Sequence, residues 1–378
     1  MNRRLFISLL SGAVVVGGRD SCRAATQIAR PLRILILGGT QFLGVHFTQL
    51  ALARGHTVTL FNRGRTNPQL FPQVEKLRGD RDGQLDALKG RSLDAVVDDS
   101  CYVPRHVRLT AALLGPAIRQ YLYISSISAY AGFTRPNDER SPLGTLSDET
   151  IERVDDSTYG PLKALCEKAV QTALPGRATV IRPGYVVGPN DPTDRFTYWP
   201  ARAARGGDML AAGAASDHIQ FIDVRDLARF NLDALERSIF GTFNLLTPPG
   251  RFKMGDLISA SVGSANELVR PSPAPNPVWI PADFLAMHDE AFPGDIPIWA
   301  PASGDSAAAA EISATRALQN GLTVTPIEQT VRDTLIWHRS RPRSEQVALK
   351  AGLTQMREQA ILAAWRQSMA TTRHVGAT

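Results

Sequence analysis

The sequence predicts an α/β fold in which a doubly wound parallel sheet is followed by a smaller, irregular C-terminal part. Two observations support this prediction. Strand-like and helix-like runs alternate from Leu32 onward, and a glycine-rich turn joins the first strand directly to a helix. Such alternation is typical of parallel βαβ units. After Gly184 the pattern weakens into Pro- and Gly-rich stretches with short helices, so the second part should be smaller and less regular.

The composition excludes several classes of protein. Hydrophobic residues make up 43% of the 378 positions and charged residues 21%, which is typical of a folded globular chain and not of a disordered or multi-span membrane protein. The three cysteines include no C-x-x-C pair, so they indicate neither a disulfide framework nor a zinc site. We therefore predict no metal centre.

The net charge of +6 lies at the two ends of the chain. Residues 1–24 carry a net +3 and residues 339–378 a net +5, so the stretch between them carries a net −2. Proteins that bind nucleic acid need a basic surface that neutralises phosphates. The slightly acidic middle of the chain therefore argues against a nucleic-acid partner.

Both ends of the chain carry a pattern of their own. Residues 1–24 contain NRRLFI at residues 2–7, followed by a short apolar run, which resembles a bacterial twin-arginine (Tat) export signal. This resemblance implies the Tat export machinery as a partner and a periplasmic location; if the segment is not a signal, the location is cytoplasmic. In the basic tail, residues 344–369 should form one helix with Leu353 and Met356 on its packed stripe.

The regular elements can be placed from hydrophobic runs and turn residues. The predicted strands of the sheet lie at residues 33–37, 57–61, 95–98, 121–124 and 179–182. The helix after the first strand should run from about residue 42 to 54. We expect a further strand pair at residues 220–222 and 241–245, and a loop at the proline-rich residues 271–277.

These elements divide the chain into a nucleotide-binding domain and a substrate-binding part. The nucleotide-binding domain covers residues 31–190 and is completed by residues 218–250. Residues 191–217 and 251–338 then form the substrate-binding part, and residues 339–378 form the tail.

The strongest local signal is LILGGTQFLG at residues 35–44, which joins a buried strand to a helix. This is the context of a dinucleotide-binding loop, because glycines allow the turn and the free N–H groups at the helix start attract a pyrophosphate. Gln41 stands where the usual fingerprint has its middle glycine. The residues predicted to contact the cofactor are Gly38, Gly39, Thr40, Gln41, Phe42, Leu43 and Gly44.

The end of the second strand indicates which dinucleotide binds. NAD-binding chains usually place an acid there to hold the ribose 2′-hydroxyl, whereas this chain has Asn62, Arg63 and Arg65. Guanidinium groups match a 2′-phosphate, so we favour NADP over NAD. Asp80, further along the chain, should contact the adenine edge.

Three residues form a candidate catalytic group. Tyr159 and Lys163 are four residues apart, which places them on one face of a helix. Ser126 follows a predicted strand, at the edge of the sheet where ligands of open parallel sheets bind. A hydroxyl, a phenol and an ammonium at one site are groups that proton transfer can use.

The glycine loop, Ser126, the Tyr159-x-x-x-Lys163 pair and the Arg-Pro-Gly at residues 182–184 together resemble the extended short-chain dehydrogenase/reductase superfamily, in its NAD-dependent epimerase/dehydratase branch. The resemblance spans about residues 32–250. The GGTQF form of the loop is also similar to the atypical loop of chloroplast stem-loop RNA-binding relatives. The resemblance implies a Rossmann fold, with Ser126 as the catalytic hydroxyl, Tyr159 as acid/base and Lys163 as its cationic partner.

This acid/base needs an unusual pKa. A free tyrosine has a pKa near 10, and we expect the Lys163 ammonium and an oxidised nicotinamide to lower the pKa of Tyr159 by about three units, equivalent to about 4 kcal/mol. Tyr159 could then take a hydroxyl proton while a hydride passes to the nicotinamide. Ser126 would hydrogen-bond to the same oxygen.

The predicted function is that of an NAD(P)-dependent epimerase or oxidoreductase acting on a sugar-like or polyol substrate, with a cofactor that need not exchange. Two alternatives stay open: a non-catalytic nucleotide-fold protein that binds RNA or a protein, and a cytoplasmic carbonyl reductase. A homo-oligomer also stays open. The candidate substrate residues, an aromatic and charged set that suits a carbohydrate, are Asp194, Arg195, Tyr198 and Trp199.

Overall fold

A parallel sheet of seven strands organises the chain. The computed structural model describes residues 30–287 and 296–375, so the predicted export signal at residues 1–24 lies outside the described residues. The strands are β1 (Arg33–Leu37), β2 (Thr57–Asn62), β3 (Glu75–Arg78), β4 (Ala95–Asp98), β5 (Gln120–Ile124), β6 (Ala178–Pro183), β7 (Tyr185–Val187), β8 (Gly207–Ala212), β9 (His218–Ile219), β10 (Phe221–Asp223), β11 (Gly241–Leu245), β12 (Phe252–Lys253) and β13 (Pro275–Ile280). The helices are α1 (Leu43–Ala53), α2 (Pro104–Leu114), α3 (Tyr159–Ala173), α4 (Tyr198–Ala204), α5 (Val224–Glu236), α6 (Met254–Leu268), α7 (Ala282–Met287), α8 (Thr315–Gln319), α9 (Ile327–Ser340), α10 (Arg343–Val347) and α11 (Gln355–Val375).

The order of the seven strands confirms the predicted fold class. The strands lie in the order β11-β6-β5-β4-β1-β2-β3, and every neighbouring pair is parallel. The direction of winding reverses between β1 and β4, and ligands of such sheets bind at the carboxyl ends of the strands beside that point. The chain therefore has a doubly wound Rossmann fold, as predicted.

Alternate residues of β1 pack into two separate cores on the two faces of the sheet. Ile34 and Ile36 share one core with residues of α1 and α5, while Leu35 and Leu37 share the other with residues of α2 and α3. A strand that is buried on both faces needs apolar residues at every position. The continuous apolar run after Arg33 therefore predicted β1 correctly.

β3 has no apolar pattern that could have predicted it. Its sequence is EKLR, its residues are half-buried or exposed, and it pairs with β2 at the edge of the sheet. An edge strand can face solvent and needs fewer apolar side chains than a central one. Its position was decided by the neighbouring strand and not by its own residues.

The predicted pairing of residues 220–222 with 241–245 is wrong, although both segments are strands. Phe221–Asp223 pairs with Tyr185–Val187, whereas Gly241–Leu245 extends the main sheet beside β6. An apolar run indicates that a segment is a strand, but its partner depends on the path of the chain through the whole fold.

The predicted loop at residues 271–277 is wrong in its second half, because β13 begins at Pro275. β13 pairs in parallel with β8 in a two-stranded sheet. Proline cannot donate a hydrogen bond to a strand ladder, but it is tolerated on an edge strand. Both strands of a two-stranded sheet are edges, so Pro275 and Pro277 fit there.

The C-terminal segment contains a break where a single helix was predicted. The break lies at residues 348–354, between α10 and α11, and there Gly352 has φ 90° and packs against the ring of Tyr198. The predicted packed stripe is right at Leu353, which is buried, and wrong at Met356, which is 82% exposed. Neither α11 nor another helix in the described ranges combines the length and apolar character needed to cross a membrane.

Candidate active site

A cleft of about 1720 Å³ runs along the carboxyl ends of the parallel strands. A typical small-molecule pocket has about 300–1,000 Å³, so this cleft has room for a dinucleotide and a second ligand. Its walls include the glycine loop, the segments that follow β2, β4 and β5, the start of α3 and residues 350–352. The predicted cofactor residues that line it are Gly38, Gly39, Thr40, Gln41, Phe42, Leu43, Asn62, Arg63, Arg65 and Asp80.

Two glycines give the loop its shape. Gly38 has φ 124° and Gly39 has φ 85°, backbone conformations that residues with a side chain rarely adopt. A Cβ at Gly38 would lie 2.0 Å from a carboxylate oxygen of Asp99. Gly44 lies behind the loop, where a Cβ would be 2.5 Å from the Cα of Gly39. Gly44 therefore allows α1 to pack closely on the loop, which is the role that a glycine at this place in a dinucleotide-binding loop is expected to have.

Asn62 supports the loop through hydrogen bonds of its own. Its side-chain amide donates to the carbonyl oxygen of Gly38 at 2.9 Å and accepts from the backbone N–H of Gly64 at 2.8 Å. Arg63 and Arg65 follow it with exposed side chains on the wall of the cleft. Asn62 thus holds the loop in place, while the two guanidinium groups stay available to an anionic ligand.

Asp99 is a cleft residue that sequence patterns did not indicate. Its carboxylate packs against Gly38 and Gly44 and accepts a long hydrogen bond of 3.4 Å from the N–H of Gly39. Burial, with the neighbouring charge of Asp98 as a second cause, raises the pKa of Asp99 to about 7. The carboxyl that supports the loop therefore changes charge near neutral pH.

The raised pKa of Asp99 predicts that Asp99→Asn stabilises the protein at pH 8. An unfolded aspartate has a pKa near 4, so between about pH 4 and 7 the unfolded state loses this proton while the native state keeps it. The free energy of unfolding therefore falls as the pH rises through that range and stays low above it. We expect Asp99→Asn to raise the free energy of unfolding by about 2 kcal/mol at pH 8, since partial access of water reduces the roughly 4 kcal/mol of three pKa units.

Urea unfolding at pH 8 and pH 4 measures this effect, and the gain should vanish at pH 4. Asp82→Asn is the control, because Asp82 is an exposed carboxyl whose pKa is lowered by its hydrogen bond to Arg105. That variant should show no gain at pH 8. An equal gain for Asp99→Asn at both pH values would contradict the prediction.

Ser126 and Tyr159 are brought together by a glycine. α3 begins at Tyr159, and the next residue, Gly160, lies so close to the turn after β5 that a Cβ there would be 2.1 Å from the carbonyl oxygen of Ser128. Because no larger residue fits, Gly160 allows the start of α3 to rest on this turn. The Ser126 hydroxyl, which donates to the hydroxyl of Ser128 at 3.2 Å, then lies near enough to the Tyr159 phenol to lower its pKa.

Lys163 lines the same cleft, but its ammonium is directed to two backbone carbonyls. Its Nζ donates to the carbonyl oxygens of Cys101, at 2.9 Å, and Ile124, at 2.6 Å. The ring of Tyr123 lies 4.6 Å from the same nitrogen. Lys163 thus joins the segment after β4 to the end of β5.

The pKa of Tyr159 differs from the expectation. Burial raises it above the usual value, and the Ser126 hydroxyl and the charge of Arg195 only partly oppose that rise. Lys163 is not among the groups that lower it. The lowering of the Tyr159 pKa expected from Lys163 is therefore not seen in this structure, where burial outweighs the groups that lower this pKa.

Of the four predicted substrate residues, Arg195 lines the cleft. Tyr198 and Trp199 are 2% and 0% exposed in the C-terminal core. Asp194 is buried, and its carboxylate accepts a hydrogen bond of 2.6 Å from Arg341. The predicted substrate contacts of Tyr198, Trp199 and Asp194 are therefore wrong. α4 directs the two aromatic rings into the core, and the Asp194 carboxylate connects its loop to the C-terminal segment.

Two further groups reach the cleft from distant parts of the chain. Tyr102 follows β4, and its ring centroid lies 6.1 Å from that of Tyr159. Lys350, between α10 and α11, donates from its Nζ to the carbonyl oxygen of Pro192 at 2.9 Å. Neither residue stands in a local motif, so no sequence pattern could have indicated it.

Comparison with known proteins supports the resemblance that the motifs indicate. Residues 103–245 match the model of the NAD dependent epimerase/dehydratase family, and this segment contains Ser126, Tyr159 and Lys163. The chain is also 28% identical over 233 residues to the chloroplast stem-loop binding protein of 41 kDa b from Arabidopsis thaliana. That alignment covers 56% of this chain and 58% of the plant protein, so the chain spans less than two thirds of this relative.

Solved structures of other proteins share the fold. The Bordetella bronchiseptica enzyme WbmH, in complex with NAD⁺, has a TM-score of 0.57 at 17% identity, with 82% of this chain and 98% of that chain covered. UDP-glucose 4-epimerase from Thermotoga maritima, with UDP-glucose, has a TM-score of 0.57 at 17% identity over 82% and 99% of the two chains. Human epimerase family protein SDR39U1, with NADPH, has a TM-score of 0.54 at 20% identity over 81% and 99%. The family model thus matches residues 103–245, and the solved structures show that the chain shares their fold.

Proposed function

We propose that the chain is an NAD(P)-dependent enzyme that moves a hydride and a proton at a hydroxyl-bearing carbon of a carbohydrate-like substrate, as an epimerase or an oxidoreductase. The placement of the Ser126 hydroxyl and the Tyr159 phenol in one cleft with the glycine loop carries this proposal, and Ser126 is close enough to lower the pKa of Tyr159. A purely structural tyrosine would not need a serine hydroxyl and a cofactor-sized cleft beside it. The family match over residues 103–245 supports the same conclusion.

The residues of the cleft fit a dinucleotide. Gly38 and Gly39, with positive φ, turn the chain from β1 toward the start of α1, where helix N–H groups and the helix dipole favour a pyrophosphate. Asp99, with its pKa of about 7, can hold a proton and so need not repel that group. Arg63 and Arg65 would hold a 2′-phosphate, which is why we favour NADP over NAD.

Tyr159 and Ser126 would perform the proton transfer. Tyr159, as a phenolate, accepts the proton of a substrate hydroxyl, and the hydrogen on the same carbon leaves as a hydride, so that a carbonyl forms. A bound oxidised nicotinamide supplies the acceptor for that hydride. Ser126 donates a hydrogen bond to the developing carbonyl oxygen and orients it toward Tyr159. In the reverse direction the Tyr159 phenol returns the proton.

The other end of the cleft suits a sugar. Tyr185, which is 37% exposed, offers an aromatic ring, and Arg195 and Lys350 offer positive charge. Aromatic faces pack against the apolar side of a sugar ring, and the cations would attract a carboxylate or phosphate attached to it. UDP-glucose, the ligand in the Thermotoga maritima epimerase structure, has both features and serves as the first trial substrate.

We further propose that the cofactor stays bound through many turnovers. The twin-arginine resemblance at residues 2–7 favours export of a folded, loaded protein to the periplasm, where we infer that little NADP is free for exchange. An epimerase returns the hydride to its own product, so it needs no exchange. A dehydrogenase with net turnover would stop after one cycle.

Purification followed by desalting tests the proposal. We expect the protein to retain an adenine dinucleotide, seen in its ultraviolet absorption and identified as NAD or NADP by mass analysis. Added UDP-glucose or UDP-glucuronic acid should reduce the bound nicotinamide transiently, and the sugar should be recovered as its epimer without added cofactor.

Three outcomes distinguish the proposed epimerase from the reductase and from a protein that binds no nicotinamide cofactor. Retained nucleotide with an epimerised sugar supports the proposal in full. A protein that elutes empty and consumes NADP(H) stoichiometrically with a carbonyl substrate would contradict the non-exchanging cofactor and favour the reductase alternative. A protein that binds neither NAD(H) nor NADP(H) in a direct titration would overturn the proposed function.

A further inference from the structure

The loop at residues 190–195 carries Arg195 into the cleft on the side of the candidate catalytic group. β5 and β6 are neighbouring parallel strands, and Ser126 and Tyr185 each follow one of these strands by two residues. The guanidinium carbon of Arg195 lies 4.7 Å from the ring centre of Tyr185. Because neighbouring strands are only about 4.8 Å apart, the 190–195 loop borders the proposed site of proton transfer.

The backbone of the 190–195 loop bends at two residues that have a side chain. Asn190 has φ 70° and Asp194 has φ 58°, a left-handed conformation that is uncommon outside glycine. Within the loop, the Asp191 carboxylate accepts from the Thr193 N–H at 2.8 Å and from the Thr193 hydroxyl at 2.6 Å. These bonds shape the turn but do not join it to the rest of the protein.

The C-terminal segment joins this loop to the rest of the protein through a buried ion pair. The Asp194 carboxylate, 0% exposed, accepts a hydrogen bond of 2.6 Å from the guanidinium of Arg341, which is 11% exposed. The backbone N–H of Lys350 donates to the same carboxylate at 3.2 Å, and its Nζ donates to the carbonyl oxygen of Pro192 at 2.9 Å. A buried pair is far more costly to break than an exposed one, so these contacts fix the loop.

Arg341 is itself held at the end of α9. Its guanidinium carbon lies 4.9 Å from the ring centre of Trp337, and its Nε donates to Glu345 at 3.2 Å. The family model matches residues 103–245, so Arg341 lies outside the matched region. A role for Arg341 therefore has to be argued from its contacts alone.

We propose that Arg341 is a positioning residue for the substrate: through Asp194 it holds the 190–195 loop so that Arg195 meets the carbohydrate-like ligand. Arg341 is not among the residues that line the cleft, so it acts through the loop. This inference rests on the proposed function in one respect, that the ligand beside Arg195 is the substrate. The glycine loop is held by Asn62, so loss of Arg341 should leave the cofactor in place.

Steady-state kinetics of the full chain with its bound nucleotide tests this proposal. We expect Arg341→Gln to raise the KM for UDP-glucose by about tenfold, as weakening of one hydrogen bond to a charged group does. The kcat and the nucleotide content after desalting should stay unchanged, because a contact made equally in the ground state and the transition state affects KM alone. Arg341→Lys, which keeps the positive charge, should recover most of the loss.

The matched control is Arg332→Gln, which makes the same change in α9. Arg332 is 45% exposed and pairs with Glu267 at 3.1 Å, so its loss should leave KM unchanged. A second variant, Asp194→Asn/Arg341→Gln, removes both charges and leaves no unpaired charge in the interior. It should show the same rise in KM, and it decides the question if Arg341→Gln does not fold.

Hydrogen exchange tests the same contact without a substrate. In Arg341→Gln the amide hydrogens of residues 190–195 should exchange about tenfold faster, since the loop opens more readily. Those of the glycine loop, residues 38–44, should exchange as in the parent protein. Arg332→Gln should change neither region.

Several outcomes would overturn the proposal. Unchanged exchange at residues 190–195 would show that Arg341 does not hold the loop. Faster exchange with an unchanged KM would show that the loop does not serve the substrate, and a fall in kcat or a loss of nucleotide would show a wider disturbance than positioning. A parent protein that converts no UDP-sugar would instead reject the proposed substrate, and the exchange of residues 190–195 would still decide whether Arg341 holds the loop.

Discussion

Tyr159→Phe is expected to lower turnover by about 10²–10⁴-fold, the usual contribution of a general acid or base, while the protein keeps its nucleotide. The substitution removes the phenol oxygen that we propose exchanges the substrate proton and leaves the ring, which packs beside Tyr102. The glycine loop is not touched. Turnover of UDP-glucose and the nucleotide content after desalting are measured on the same preparation.

The matched control is Tyr198→Phe, which makes the same chemical change in a tyrosine buried in the C-terminal core. It should leave turnover and nucleotide content unchanged, since Tyr198 is buried in the C-terminal core and not among the residues that line the cleft. Unchanged turnover in Tyr159→Phe would instead favour the non-catalytic alternative, a nucleotide-fold protein that binds a partner. The similarity to the Arabidopsis thaliana stem-loop binding protein makes a structured RNA the first partner to try in that case.

Glu358→Gln should destabilise the fold by about 3–5 kcal/mol, the cost of leaving a buried charge without its partner. Glu358 lies in α11, and its carboxylate accepts hydrogen bonds of 2.7 and 2.5 Å from Arg202 in α4. The two side chains are 2% and 7% exposed. The carboxylate also accepts from the N–H of Leu210 in β8 at 3.0 Å. Urea unfolding at neutral pH measures the loss.

Glu345→Gln is the control for this effect, because it makes the same change in the same C-terminal segment. Glu345 pairs with Arg341 one helical turn away and is 55% exposed, and exposed pairs contribute about 0–1 kcal/mol. A small and equal loss of unfolding free energy in both variants would mean that Glu358 does not hold α11 against the rest of the fold. A large difference in stability between the two variants, as expected, would show that α11 packs as part of the folded domain.

Local patterns were sufficient to predict the nucleotide-binding half. The apolar run of β1 and the glycines after it lie next to each other in the sequence, and their roles depend on neighbours within a few residues. Strands buried on both faces need continuous apolar runs, so β4, β5 and β6 were also predictable. The spacing of Tyr159 and Lys163 correctly placed both on α3.

Contacts between distant residues could not be predicted in this way. Gly160 is required because α3 meets the turn after β5, and β3 is a strand because β2 lies beside it. Tyr198 and Trp199 are aromatic residues of the type that often lines sugar-binding sites, yet they pack in the C-terminal core. Burial of a large ring is favourable wherever space allows, so residue type alone did not distinguish the two uses.

The amino-acid sequence by itself determined the doubly wound sheet, the glycine loop and the placement of Tyr159 and Lys163 on α3, because each follows from short-range residue periodicity or backbone freedom. The tertiary structure alone decided the electrostatics of the site. It directed the Lys163 ammonium to two carbonyls, brought Arg195 to the cleft of Tyr159 and placed Asp99 under the loop. Charge interactions depend on distance in space and on burial, and neither quantity can be predicted from the spacing of residues along the sequence.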